Sequence, residues 1–188
     1  MGVRGHAWAS NDPGLKLIER LAIDYRAVNS HALRATAGEP SAMIRIERER
    51  VFPTPVERGF SIITDVGNWP SYWPGLVRVE PESRWGTPGD QARLILRLLG
   101  REVEVAMTLR EFVPNQLVAY DSVQAGLPSA HHERHFRPVD GGFAYRIVVE
   151  YEPRTGPRGL FDRTVVRRSI DRAVRETMLN LERVLGPA

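Results

Sequence analysis

Hydrophobic positions recur every second residue through the middle of the chain and every third or fourth residue on either side of it. The alternation begins in SAMIRIERERVF (41–52), where Ile44 and Ile46 mark a strand. PTPVERGFSIITDVGNWPSYWPG then breaks the pattern, and its prolines start a short helix near Pro55 and a second helical turn across Trp69-Pro70 and Trp73-Pro74. Six strand-like segments follow, near 76–84, 91–99, 101–113, 116–124, 129–138 and 142–151. Leu99-Gly100-Arg101, Pro114-Asn115 and Asp140-Gly141-Gly142 are too short to hold a crossover helix. The strands are therefore expected to form an antiparallel meander.

Helical spacing frames this block. Upstream, Asp12 and Pro13 open a pattern of Leu17, Ile18, Leu21, Tyr25, Val28 and Ala32 that ends near Gly38. Downstream, Phe161, Val165, Val166, Ile170, Ala173, Val174, Met178, Leu181 and Leu185 form one stripe of a long helix over about 160–185, stopped by Gly186-Pro187. Two regions are expected: an N-terminal helical extension over 1–40 and a ligand-binding domain over 41–188. An antiparallel sheet with one apolar face needs cover, which the two short helices and the long one supply. The expected fold is α+β, a curved seven-stranded sheet gripping the C-terminal helix, with an extra N-terminal helix.

Composition narrows the function. The chain has 188 residues, 42% of them hydrophobic, which suits one domain, and no apolar run reaches the roughly 18 residues of a membrane span. Zero cysteine excludes disulfides, thiolate nucleophiles and thiolate metal sites. The start MGVRGHAWASNDPG lacks the features of a signal peptide, so a cytoplasmic location is expected. Neither GxGxxG nor GxxxxGK[ST] occurs, and no cofactor is expected. Lys16 is the only lysine beside 25 arginines, yet the net charge is only +3. It divides as +1 over 1–40, −1 over 41–157 and +3 over 158–188. Acids interrupt nearly every arginine run, so nucleic acid is not an expected partner.

The order of strand, two short helices, six strands and long helix resembles the START/Bet v 1-like (SRPBCC) superfamily, of polyketide cyclase/dehydrase and lipid transport type. VFPTPVERGFSIITDVGNWPSYWPGLVRVE (51–80) and FDRTVVRRSIDRAVRETMLNLERVL (161–185) carry the resemblance, which spans 43–185. It implies a helix-grip fold whose long helix lies across a strongly bent sheet, with an elongated apolar cavity between them. It also implies a hydrophobic or aromatic small molecule, lipid or polyketide-like, as ligand. Residues 1–40 lie outside the usual core, and three roles stay open for them: covering a cavity mouth, packing on the sheet, or forming a homodimer.

Strand parity supplies the candidate chemistry. SAHHERHFRP puts His131, Glu133 and His135 on one face and His132, Arg134 and Phe136 on the other. Two imidazoles around a carboxylate are an acid–base set, set against the plain reading of an outward polar face. His131 and His135 sit about 13 Å apart along an extended strand, and no HExxH occurs, so no metal site is expected. Tyr120 and Tyr145 are candidate phenolic donors beside the histidines. These five residues form the catalytic set for an alternative reading as a cofactor-independent polyketide aromatase/cyclase or dehydratase. The candidate ligand-binding set is Trp69, Trp73, Arg97, Met107, Leu127, Phe143, Ile170 and Val174. In it Trp69 and Trp73 stand near the cavity by resemblance, Arg97 is a surface charge unless a bulge turns it inward, and Leu127 borders the opening. A third reading is a protein-interaction module without a ligand.

Overall fold

A computed structural model describes residues 42–98 and 101–186. The helix expected over 12–38 lies outside the described residues, as does any role for residues 1–40.

The described chain runs β1 (Ile44–Phe52), α1 (Val56–Thr64), α2 (Trp69–Tyr72), β2 (Leu76–Val79), β3 (Gln91–Leu98), β4 (Arg101–Val113), β5 (Leu117–Gln124), β6 (Ala130–Val139) and β7 (Gly142–Tyr151). It ends in a helical rod: α3 (Gly156–Phe161), a π-helical turn (Asp162–Val166) and α4 (Arg167–Leu185). The strands form one antiparallel sheet in the order β1-β7-β6-β5-β4-β3-β2. The short links at Pro114-Asn115 and Asp140-Gly141 become hairpin turns. Asn115, at φ 61°, occupies the left-handed region in the β4–β5 turn, which asparagine tolerates.

The expected curved sheet is not what forms. The sheet is an open ladder whose end strands, β1 and β2, do not pair with each other, so it does not curl round to close. Bending a sheet sharply takes bulges. Here β6 and β7 pair without a slip from Ala130↔Tyr151 to Val139↔Gly142, and β1 pairs with β7 without one from Ile44↔Tyr151 to Phe52↔Phe143. Register shifts occur toward the other side, between Leu109 and Glu111 and between Leu76 and Arg78.

Alternation sets the two faces. Phe143, Tyr145, Ile147, Val149 and Tyr151 of β7 are all buried, as are Val105, Met107 and Leu109 of β4. This inner face takes α1 against β6 and β7, while α4 packs on β1 and α2. Gly59 allows α1 its close approach, since a Cβ there would lie 2.3 Å from the Phe143 ring. Polar ties fix α4: Arg48 donates to Asp171 at 2.7 Å, Arg50 pairs with Glu182, and Asn180 donates to the Tyr72 carbonyl at 3.1 Å.

The long-helix stripe is corrected at its start. Val166, Val174, Met178, Leu181 and Leu185 are buried, but Phe161 and Val165 are exposed. A π-helical turn inserts one residue into the helical count. The apolar spacing that is regular in sequence is therefore rotated between Phe161 and Val166, and the first members of the stripe turn outward. Asp162 anchors this turn. Its carboxylate accepts from Arg154 N and Nε at 2.9 Å each and from Nη2 at 2.7 Å, while Tyr151 donates to its carbonyl at 2.8 Å. Burial pushes the Asp162 carboxyl up, but the Arg154 hydrogen bonds outweigh it and hold it below the usual carboxylate range.

Candidate functional site

β6 places His132, Arg134 and Phe136 on the inner face, since Ala130 and Phe136 of the same parity are both buried in the core. Arg134 thus enters an apolar interior, and among the described residues no carboxylate pairs with it. Its Nη2 donates to the Tyr120 hydroxyl at 2.8 Å, and its guanidinium lies 5.9 Å from the centre of the Trp73 ring and 5.7 Å from that of Tyr120. Its Nη1 is buried without a hydrogen-bond partner. A buried, unpaired donor on a cation costs about 1–3 kcal/mol or more, so its retention calls for an explanation.

The guanidinium faces a small cavity of about 30 Å³, room for about one water molecule. Trp69, Tyr72, Trp73 and Trp85 wall it on the helical side with Thr177 of α4, and Met107, Val118, Tyr120, Phe136 and Tyr145 wall it on the sheet side. The Tyr72 hydroxyl and the Trp69 indole both donate to the Ile63 carbonyl, at 2.7 and 3.1 Å. Trp85 reaches the wall from the loop between β2 and β3, edge-on to Trp69 and to Tyr120, each at 5.2 Å between ring centres. Burial pushes Tyr145 up to about 12 and Tyr72 well above the usual range, so both stay protonated at neutral pH.

One step along β6, the His132 ring stacks on Tyr120 at 4.6 Å, and its Nε2 lies 2.9 Å from Ser122 Oγ. Its Nδ1 is buried without a partner. Burial, reinforced by Arg134, lowers this imidazole to about 3, so it is neutral.

The structure brings Tyr120, Tyr145, Trp69, Trp73 and Met107 together around one cavity. It does not bring the remaining candidates there. His131, Glu133 and His135 project from the opposite, outer face, where His131 Nδ1 meets Asp121 Oδ1 at 2.8 Å and His135 Nε2 meets Glu133 Oε2 at 2.8 Å. They therefore do not converge with either tyrosine. His131, Asp121 and Arg110 border an open groove of about 330 Å³. Two of the charges bordering that groove are paired, Arg110 with Asp121 and Glu150 with Arg45. Arg97, with 62% of its side chain exposed, pairs with Glu102 at 3.5 Å on the outer face, because no bulge falls beside it in the β3–β4 ladder. Phe143 is sealed in a ring stack with Phe52 at 5.6 Å. Leu127 and Ile170 are half-buried against the core and Val174 is buried in it, all three off the cavity wall.

Sequence reasoning missed Arg134 and Trp85. For Arg134 the signal was present: it shares parity with Phe136, and a bulky apolar residue marks the core-facing side of a half-buried strand. Trp85 stands close in sequence to Trp69, Tyr72 and Trp73, but it sits in a loop and reaches the site through tertiary packing, which that closeness does not show.

An open antiparallel sheet covered by a long C-terminal helix, with a buried aromatic cavity between them, defines a helix-grip protein. Residues 43–186 match the family model described as polyketide cyclase / dehydrase and lipid transport, and the chain belongs to that family, within the START-like SRPBCC superfamily. Similar solved structures include a protein from Thermus thermophilus at 18% identity, covering 74% of this chain and 95% of that one, with a TM-score of 0.63. Zhui aromatase/cyclase from a Streptomyces species is similar at 15% identity, covering 76% and 96%, with a TM-score of 0.58. A Chromobacterium violaceum protein is similar at 17% identity, covering 77% and 99%, with a TM-score of 0.60. At these identities the likeness is one of fold. No curated protein matches the sequence. The family description joins cyclisation or dehydration of polyketides with lipid transport, which places the chain among proteins of hydrophobic or amphipathic small molecules. Among the described residues no helix is long and apolar enough to cross a membrane.

Proposed function

We propose that this protein binds an amphipathic small molecule, lipid or polyketide-like, between the sheet and α4, and that Arg134 holds the molecule's anionic end. The observation that carries this reading is the buried guanidinium with an unpartnered Nη1 and, among the described residues, no carboxylate beside it. A ligand carboxylate would supply the missing acceptor and neutralise the charge, and aromatic walls suit an apolar body. The space now present holds only a water, so the ligand body takes its room by displacing the Trp85 indole, a loop side chain resting edge-on against two rings.

Binding is favoured over acid–base catalysis by the state of the wall. Its titratable groups among the described residues are Tyr72, Tyr120, Tyr145 and Arg134. Tyr72 and Tyr145 are held protonated and the guanidinium charged, so these groups donate hydrogen bonds and do not accept a proton at neutral pH. The aromatase/cyclase reading would need its base from the substrate or from water.

Native mass spectrometry with a fatty acid, the matching alcohol and a polyketide-like carboxylate tests the proposal. Wild-type protein is expected to retain the acids in preference to the alcohol, and Arg134→Met to lose that preference about tenfold or more, the scale of one charge-assisted hydrogen bond. Absence of any mass shift across the panel, or equal retention of acid and alcohol by the wild type, would overturn it.

A further inference from the structure

The outward rotation at the π-helical turn leaves a surface feature that the cavity does not use. Among the described residues seven large hydrophobic side chains are exposed, and three of them, Leu160, Phe161 and Val165, fall within six positions of the chain. Their relative exposures are 66%, 38% and 45%. Single exposed apolar residues are ordinary, but a cluster on one turn marks an interaction surface.

From Gly156 to Arg172 the exposed charge has one sign. Arg167, Arg168 and Arg172 are exposed on the turns that follow, with Arg158 half-buried just before. The two acids of the same stretch are already engaged: Asp162 is buried against Arg154, and Asp171 is held by Arg48 and Arg175. Helical spacing carries the stripe from Phe161 through Val165 to Arg168 and Arg172. Apolar side chains followed by unneutralised arginines on one helical edge match the interface of an anionic bilayer, where acyl chains accept the former and phosphates the latter. Sequence spacing puts Phe161 and Val165 on the apolar face of the long helix, but the inserted residue turns them outward.

We infer that the rod from Gly156 to Arg172 docks on an anionic lipid surface, with Leu160, Phe161 and Val165 entering the interface and Arg167, Arg168 and Arg172 meeting the headgroups. This inference stands whether or not the cavity takes the ligand proposed above.

Co-sedimentation with vesicles tests it on the full chain. Wild-type protein is expected to bind phosphatidylcholine/phosphatidylserine vesicles, to ignore pure phosphatidylcholine, and to release in high salt. Leu160→Ser with Phe161→Ser, and separately Arg167→Gln with Arg168→Gln, should each weaken binding about tenfold or more. Arg183→Gln, exposed at the far end of α4, should leave it unchanged. These are surface positions, and unaltered circular dichroism and urea midpoints would establish that the variants fold. No binding to the anionic vesicles, or binding that neither pair weakens, would overturn the inference. So would a concentration-dependent dimer, seen by analytical ultracentrifugation, that Leu160→Ser with Phe161→Ser abolishes, because the patch would then be an interface between two copies.

Discussion

Asp162→Asn probes the anchor of the π-helical turn with almost no change in volume. In the wild type one carboxylate oxygen accepts from both Arg154 N and Nε, and the other accepts from Nη2. An asparagine satisfies one of these sites with its carbonyl but presents NH2 to the other, so a donor meets a donor whichever way the amide is turned. The guanidinium is also left without its counter-charge. Losing one partner of a buried pair costs about 3–5 kcal/mol, and because the Arg154 side chain is 30% exposed, water recovers part of that, giving about 2–4 kcal/mol. Urea denaturation at neutral pH measures this loss. The pH dependence supplies a second reading. The folded-state pKa of Asp162 lies below its unfolded value of about 3.9, so its contribution is fully present above that value and disappears as pH falls through the folded pKa. The gap between wild type and Asp162→Asn should be constant at neutral pH and narrow only under strong acid. A loss below about 0.5 kcal/mol, within the range of ordinary surface substitutions, or a gap indifferent to acid, would refute this account of the turn.

Gly59→Ala should destabilise by about 1–3 kcal/mol despite a helix-propensity gain of up to about 1 kcal/mol, because the Phe143 ring it meets is fully buried and has nowhere to move. A urea midpoint that rises would sink this expectation, and Phe143→Leu should remove most of the penalty. His132, at about 3 in the folded state against about 6.5 unfolded, makes the unfolded chain the better proton binder between those values. Stability should therefore fall as pH drops from 7 toward 3, by up to about 4–5 kcal/mol from this residue, and His132→Phe should flatten that slope. A proton NMR titration that shows the His132 ring protonating near pH 6.5 in folded protein would contradict it. Trp85→Ala should speed fatty-acid entry several-fold in stopped-flow quenching of the remaining tryptophans, and an unchanged rate would assign the entrance elsewhere.

The meander was legible because its links are short and its alternation is clean: the buried row from Phe143 to Tyr151 and the buried set Val105, Met107 and Leu109 fall where a period of two puts them. Sheet shape was not legible, since it depends on where bulges fall, and only two of the six ladders contain one. The start of the long helix was misjudged for a related reason: one inserted residue at 162–166 leaves the apolar spacing intact but changes its direction. At the site, parity divided β6 correctly into two faces, yet chemical interest attached to the face with two imidazoles and a carboxylate. Those groups find partners on the outer face, whereas Arg134, of the same parity as Phe136, has no carboxylate beside it among the described residues. Which face is wet depends on neighbouring strands and helices, and only the apolar residues of the same parity report it.

An open sheet has two rims, and each exposes backbone donors and acceptors that another chain's strand could occupy. The rim at β2 is only four residues long. The one at β1 is nine residues long but carries Arg45, Glu47, Arg48, Glu49 and Arg50 in immediate succession around a single isoleucine. An incoming strand would have to bury these charges, many already committed to partners on β7 and α4. The charge density of β1 is thus a barrier to fibrillar growth. Removing three of its five charges, with Glu47→Gln, Arg48→Gln and Glu49→Gln together, should leave the sheet in place and raise the protein's tendency to aggregate on storage.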